Sequence, residues 1–209
     1  NETNQLQAEI DRRLQSTAVE ELDQVYALSA DIQQLIIRST VPEDLEREIM
    51  EAYRQVESAV EKGVKVSLRS SALGEDTAGT SFAGQYRSEL NVSEDNILQA
   101  YKEIVASKYS VQAIAYRLNR GIRDEDVAMC VGCMAMVNAA CGGVMYSRNP
   151  LNIRDDSILI NSVWGLPKSV VDGSVGCDLF VVARRAPLER VTRDIKPKDH
   201  KFVCYPDEG

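Results

Sequence analysis

Val64-Lys65-Val66-Ser67-Leu68-Arg69-Ser70-Ser71-Ala72-Leu73-Gly74-Glu75-Asp76 is the stretch on which the reading of this sequence turns. Its first five residues alternate with period two, as in a strand whose side chains point to opposite faces. From Arg69 the residues become small and polar, and they continue as Thr77-Ala78-Gly79-Thr80-Ser81-Phe82-Ala83-Gly84-Gln85. Arg69 to Gly84 is too rich in Gly, Ser and Thr for a packed helix and is expected to be a mobile loop. A strand followed by a guanidinium, hydroxyls and a glycine-bearing loop suits a phosphate chain. The guanidinium offers a planar fork of donors, the hydroxyls add more, and glycines let backbone N–H groups approach closely. On local chemistry alone the pattern is weak, because a strand-end Arg is more often tied to a carboxylate and Gly/Ser loops are ordinary connectors.

Before this stretch the chain reads as helix. Leu22, Val25, Tyr26, Ile32, Leu35 and Ile36 recur at spacings of three and four, as do Leu45, Ile49, Tyr53, Val56 and Val60, with Pro42 suited to a first helical turn. Glu and Gln dominate the other faces, which are read as solvated. The change of character at Gly63 places a boundary there, giving a helical segment over 1–62 and an α+β part over 63–209. Within the second part a strand around Tyr86 to Val92 leads to a helix that Ser93 can cap, with Ile97, Tyr101, Ile104, Val105 and Lys108 on one face. A shorter helix ends near Gly121. Val127 to Val137 is almost continuously apolar, which predicts a strand covered on both faces, with Gly142 to Ser147 as its neighbour. Ser157 to Val163 and Leu179 to Ala183 are further strands. Arg190 to Asp194 is expected to pair with the latter across a turn containing Pro187, and Lys201 to Tyr205 to add an edge. The sum is a mixed α+β fold.

Composition sets bounds on function. The chain has 209 residues, 44% of them apolar, enough to bury a real core. A net charge of -8 argues against non-specific affinity for nucleic acid, which draws on clustered Lys and Arg. No apolar run approaches the roughly 18 residues of a membrane helix, and Asn1-Glu2-Thr3-Asn4 lacks the marks of a signal peptide, so a cytoplasmic protein without membrane partners is expected. The five cysteines, an odd number in apolar settings, suit reduced buried thiols. A chain that starts without Met is read as cut from something longer.

Four ordered blocks carry a resemblance. Val66-Ser67-Leu68-Arg69-Ser70-Ser71-Ala72, with Glu75-Asp76, Ser81-Phe82-Ala83-Gly84-Gln85 and Leu90-Asn91-Val92, resembles a block of the phosphoenolpyruvate synthase and pyruvate phosphate dikinase family. Gly143-Val144-Met145-Tyr146-Ser147-Arg148-Asn149-Pro150 resembles that family's Gly-Val-Met-Phe-Thr-Arg-Asp-Pro segment. Ile160-Asn161-Ser162-Val163-Trp164-Gly165-Leu166 resembles its Ile-Asn-Ala-Ser-Trp-Gly-Leu segment, and the apolar strand before Val137 falls where the family has its adenine-side strand.

The resemblance implies a partial ATP-grasp-type nucleotide-binding domain with an N-terminal helical segment, holding ATP between two subdomains under a flexible loop. The implied enzyme is a phosphotransferase that passes the β-phosphoryl group to a histidine on a swivelling domain, and then, through a third domain, to pyruvate. ATP and magnesium are the implied cofactors, with the magnesium ligands outside this stretch. By position, Arg69, Ser70 and Ser71 would contact phosphates, the loop bearing Ser81, Gly84 and Gln85 would close over the site, and Arg148 would lie at the phosphate end. No residue is assigned as catalytic, and the stretch alone is expected to be inactive.

The departures from the family pattern are equally specific. Met134 stands where the family commonly has Gln, Ala140 where it has Glu, and Pro167-Lys168 where it usually continues Gly-Glu. The family's glycine-rich segment with its phosphate-binding Lys is expected upstream of Asn1, and its acidic pair and Gln downstream of Gly209. His200 matches no phosphohistidine motif. These departures keep open a second reading, a nucleotide-sensing or structural module with a degenerate site.

Other candidate chemistry is set against simpler roles. Cys130 and Cys133 form Cys-x-x-Cys, but on a strand their side chains point to opposite faces and no second pair completes a zinc site, so core packing is expected. Trp164 and Phe82 could stack on a base, although anchoring is the expected role for Trp164. Asp155, Asp156 and Asp178 are read as scattered surface acids and not as a cation site.

Overall fold

The structure is a computed structural model that describes residues 5–16, 22–73, 86–152, 154–185 and 190–205, apart from the side chains of 172, 190 and 191. The described residues up to Met136 form one compact unit, and Val137 to Tyr205 form a second. Both mix strand with helix, so the fold is α+β. No helix among the described residues is long and apolar enough to cross a membrane.

The first unit opens with α1 (Leu6–Ser16), α2 (Leu22–Arg38) and α3 (Glu43–Ala59). α2 buries Val25, Leu28, Ile32 and Ile36 against Ile10 of α1 and against Tyr109 and Ile114 further on, the stripe its three-and-four spacing predicts. α3 follows Pro42, which occupies the capping position just outside the helix, and carries Glu43, Asp44 and Glu46 in its first turn, where the helix dipole favours negative charge. Its buried Tyr53 donates a hydrogen bond to the Val64 carbonyl at 3.2 Å, tying the helix to the approach of the first strand.

β1 (Val66–Ala72), β2 (Ser88–Val92) and β3 (Met129–Ala135) make an antiparallel sheet in the order β2-β1-β3. Between β2 and β3 run α4 (Ile97–Ser107) and α5 (Val111–Arg120), the latter capped by Ser110, whose Oγ accepts from the Ala113 N–H, and closed by Gly121 in the left-handed conformation. Ser93 precedes a 3-10 turn (Glu94–Asn96) in capping geometry, but its hydroxyl accepts from the Asn96 side chain and bonds no helix N–H.

Two expectations are corrected by the sheet. Arg69 to Ala72, read as the start of a loop, belong to β1. All seven residues of β1 pair with β3, out to Ala72 opposite Met129, and the ladder satisfies a backbone that small side chains leave free to pair. Residues 74–85, the remainder of the expected loop, lie outside the described residues. β3 is covered on one face only: Val131, Cys133 and Ala135 pack on the core with Val66 and Leu68, whereas Cys130, Gly132 and Met134 are exposed.

The second unit is an antiparallel meander of β4 (Cys141–Tyr146), β5 (Ser157–Trp164), β6 (Asp178–Ala183) and β7 (Arg190–Asp194), with α6 (Lys168–Asp172) after β5. β4 therefore pairs with β5 and lies in a different sheet from β3, contrary to the neighbour predicted for it. Gly143 permits the close pairing, since a Cβ there would stand 2.2 Å from the Asn161 carbonyl oxygen. β7 pairs with β6 as expected, while Pro187 lies outside the described residues. Lys201 to Tyr205 contributes one parallel bridge, Phe202 to Gly165, and no strand.

Candidate functional site

Alternation along β1 sorts the nominated residues. Val66, Leu68, Ser70 and Ala72 face the core, and Ser67, Arg69 and Ser71 share the other face. On that face the register sets Arg69 beside Gly132 of β3 and Ser88 of β2, Ser71 beside Cys130, and Ser67 beside Met134. Arg69 thus stands on the central strand with neighbours too small to cover it, and it is exposed. Among the described residues its guanidinium has no hydrogen-bond or ion-pair partner. Among the described residues no carboxylate ties up Arg69, and the Ser71 hydroxyl flanks it two residues along on the same face. That pairing fits a phosphate, for which a guanidinium supplies parallel donors.

The other nominated residues fall elsewhere. Ser70 points to the core face, away from Arg69 and Ser71. Arg148 follows β4 in the second unit, exposed and without a side-chain partner among the described residues. Ser81, Gly84 and Gln85 lie outside the described residues. Two residues on the Arg69 face, the exposed Met134 and the buried Ser67, were not nominated as contacts. Counting by twos from Arg69 along β1 and across to β3 would have found both.

Among the competing features the acids and Lys168 find internal partners, and Cys130 and Trp164 are exposed. Cys133 packs on the core, where burial pushes its thiol pKa up, but Cys130 is exposed, which corrects its expected core role. Trp164 is 55% exposed at the end of β5, so it is not a core residue. Asp155 accepts from the Asn149 amide at 2.8 Å, Asp156 pairs with Arg184 and Arg185, and Asp178 is held by Lys198 and the Lys196 N–H. Among the described residues no cluster of three or more His, Cys, Asp or Glu could hold a metal ion. Lys168, the base in place of the family's acid, sits with its Nζ 5.0 Å from the centre of the Phe202 ring, so its charge is engaged within the chain.

The chain matches the family described as pyruvate phosphate dikinase, AMP/ATP-binding domain, along residues 1–209. It belongs to that family. Relatives include a probable phosphoenolpyruvate synthase of Methanocaldococcus jannaschii, 36% identical over 187 residues, which cover 88% of this chain and 16% of the relative. The phosphoenolpyruvate synthase of Escherichia coli is 38% identical over 172 residues, covering 81% and 22%. That of Neisseria meningitidis serogroup B is 34% identical over 213 residues, covering 99% and 27%. This stretch of the family therefore spans between a sixth and about a quarter of those relatives' lengths. Membership makes it part of an ATP-binding domain of the phosphoenolpyruvate synthase type, and gives the open face of β1 and β3 a ligand class to be tested against.

Proposed function

We propose that this chain is the nucleotide-binding part of a phosphoenolpyruvate synthase-like dikinase of ATP-grasp type, in which Arg69 receives the phosphates of ATP. The observation that carries this reading is the exposed guanidinium of Arg69, without a partner among the described residues, on the central strand of the sheet in a chain of an ATP-binding family. Ser71 adds a hydroxyl donor on the same face, and Ser70, whose side chain faces the core, holds that strand end in place between them. Ser81, Gly84 and Gln85 add contacts to the nucleotide, and Arg148 supplies a second cation. Fixed positive charge is what phosphoryl transfer most requires of a protein, since the reaction is driven chiefly by positioning and charge stabilisation. The phosphoryl group then passes to a histidine on another domain of the full-length protein and from there to pyruvate. Magnesium would supply further neutralisation of the phosphates, through ligands elsewhere in the longer protein.

Calorimetric titration of Mg-ATP into the full-length protein tests the reading. Arg69→Ala is expected to weaken binding by about 1.5–3 kcal/mol, the scale of a hydrogen bond to a charged group. Ser71→Ala is expected to cost more than Ser70→Ala, because the Ser70 side chain faces the core. Absence of nucleotide binding by the unaltered protein, or an unchanged affinity in Arg69→Ala, would overturn the proposal.

A further inference from the structure

Gly132 is a glycine that its own sheet does not require. It stands inside β3, paired with Arg69, in a ladder that runs from Val66 opposite Ala135 to Ala72 opposite Met129 without a register shift. Its backbone is not left-handed, unlike that of Gly63, Gly121, Gly165 and Gly173. A Cβ there would meet nothing nearer than the Arg69 carbonyl oxygen at 3.9 Å, an ordinary van der Waals contact. Gly142 of β4 shows the contrast, since a Cβ on it would stand 2.8 Å from the Gly165 carbonyl oxygen. A glycine inside a strand weakens it, having no side chain to pack and more chain entropy to lose. With bulge, left-handed backbone and close packing set aside, the remaining use of such a glycine is to let a ligand lie against the backbone.

The surroundings indicate which part of a ligand that is. The helices packed on this sheet, α3 and α4, cover its other face through Tyr53, Ile97, Ala100 and Ile104. On the Arg69 face Gly132 lies between two unlike neighbours. Across the ladder stands the exposed Arg69, with the Ser71 hydroxyl further along in one direction. Two residues along β3 in the other direction is Met134, 56% exposed. Successive side chains on one face of a strand are roughly 7 Å apart, so the bare stretch between guanidinium and thioether has room for a sugar ring. A thioether is polarizable and makes favourable contacts with aromatic rings. Leu73, exposed beyond the far end of β1, is separated from Arg69 by the row of Ser71 and Cys130.

We propose that Gly132 is a specificity-determining residue of the nucleotide site: the sugar of the nucleotide rests on its bare backbone, the purine ring lies against Met134, and the phosphates run to Arg69 and Ser71. This rests on the reading of Arg69 as a phosphate contact and adds the course of the nucleoside across the sheet.

The test is calorimetric titration of Mg-ATP into the full-length protein at several salt concentrations, with urea unfolding of each variant. Gly132→Val is expected to weaken binding at least about tenfold, the scale of forcing extra methyl groups into a fitted contact, and Gly132→Ala to weaken it less. Neither variant is expected to lower the unfolding midpoint, because the Cβ meets no obstacle and a branched side chain suits a strand. Met134→Ala is expected to weaken binding roughly two- to tenfold, the range of a contact between sulfur and an aromatic ring, and Leu73→Ala to leave it unchanged. Arg69→Ala removes a screened charge contact and so flattens the salt dependence of the affinity, whereas Gly132→Val leaves that dependence as it is. Full binding by Gly132→Val overturns the proposal, and a loss in Arg69→Ala alongside it leaves the phosphate reading standing. A flattened salt dependence or a lowered unfolding midpoint in Gly132→Val, or a larger loss in Leu73→Ala than in Met134→Ala, also overturns it. If the unaltered protein binds no Mg-ATP, this proposal and the phosphate reading fall together.

Discussion

Gly165→Ala is expected to destabilise the second unit by about 3–5 kcal/mol, at the severe end of single substitutions. Gly165 has φ +75°, a left-handed conformation that costs a residue with a Cβ roughly 1–2 kcal/mol. The larger part of the effect is steric. A Cβ at Gly165 would lie 2.1 Å from the Phe202 carbonyl oxygen and 3.0 Å from its carbon, and these backbone atoms cannot swing aside as a flexible side chain would. Relief requires the 201–203 segment to lift, breaking the 2.8 Å bond from the Leu166 N–H to the Phe202 carbonyl and removing the ring from beneath Lys168. Gly173→Ala serves as the control, because Gly173 has φ +68° but nothing within 4 Å of the point where a methyl carbon would stand. It should cost only the conformational share. Urea unfolding followed by fluorescence of Trp164, the sole tryptophan of the chain, reads both variants in the unit that contains them. Equal losses for the two glycines would show that Phe202 gives way easily.

Asp124→Ala is expected to cost the first unit about 3–5 kcal/mol, because it leaves buried cations without their counter-charge. Lys108 and Arg117 have 10% and 5% of their side chains exposed, so water cannot replace the lost carboxylate. The weight falls on Oδ2, which takes hydrogen bonds from both Lys108 and Tyr109. Oδ1 lies 3.4 Å from Arg117 without a well-aligned hydrogen bond, and contributes through charge alone. Adding Lys108→Met should recover part of the loss, since the second change removes one of the stranded charges. Far-UV circular dichroism during urea unfolding measures both, as α1 to α5 all belong to this unit. A loss under about 1 kcal/mol for Asp124→Ala would mean that the pair is solvated in a way its burial denies.

The sequence made these helices legible because each exposes a polar face and buries an apolar one; α2 and α3 fall where the spacing of Ile32 and Tyr53 with their neighbours sets them. β1 was harder to delimit. Ser70 and Ser71 carry no hydrophobic alternation, and what holds them extended is a ladder to residues about sixty positions later, which local pattern cannot reveal. The apolar run around β3 misled for a related reason, since Gly132, Cys130 and Met134 read as core by composition but face outward by register. Family resemblance nominated Arg69; only the register separated Ser70 from Ser71. The Asp124 network had one visible trace, Lys108 continuing the apolar stripe of α4 one residue past the helix end, because a lysine in that position needs a partner that the helix itself does not supply.

The order β2-β1-β3 has a consequence for how the chain is made. β1 is the central strand of its sheet, yet it leaves the ribosome with neither neighbour, and its second edge stays unpaired until α4, α5 and finally β3 have followed. In the second unit each strand meets its partner as soon as the next one emerges, because β4 to β7 pair in sequence. Non-local pairing is slow and sequential pairing is fast. During vectorial synthesis the strand that carries Arg69 therefore spends the longest time as an open edge, the state in which a nascent chain is most exposed to mispairing.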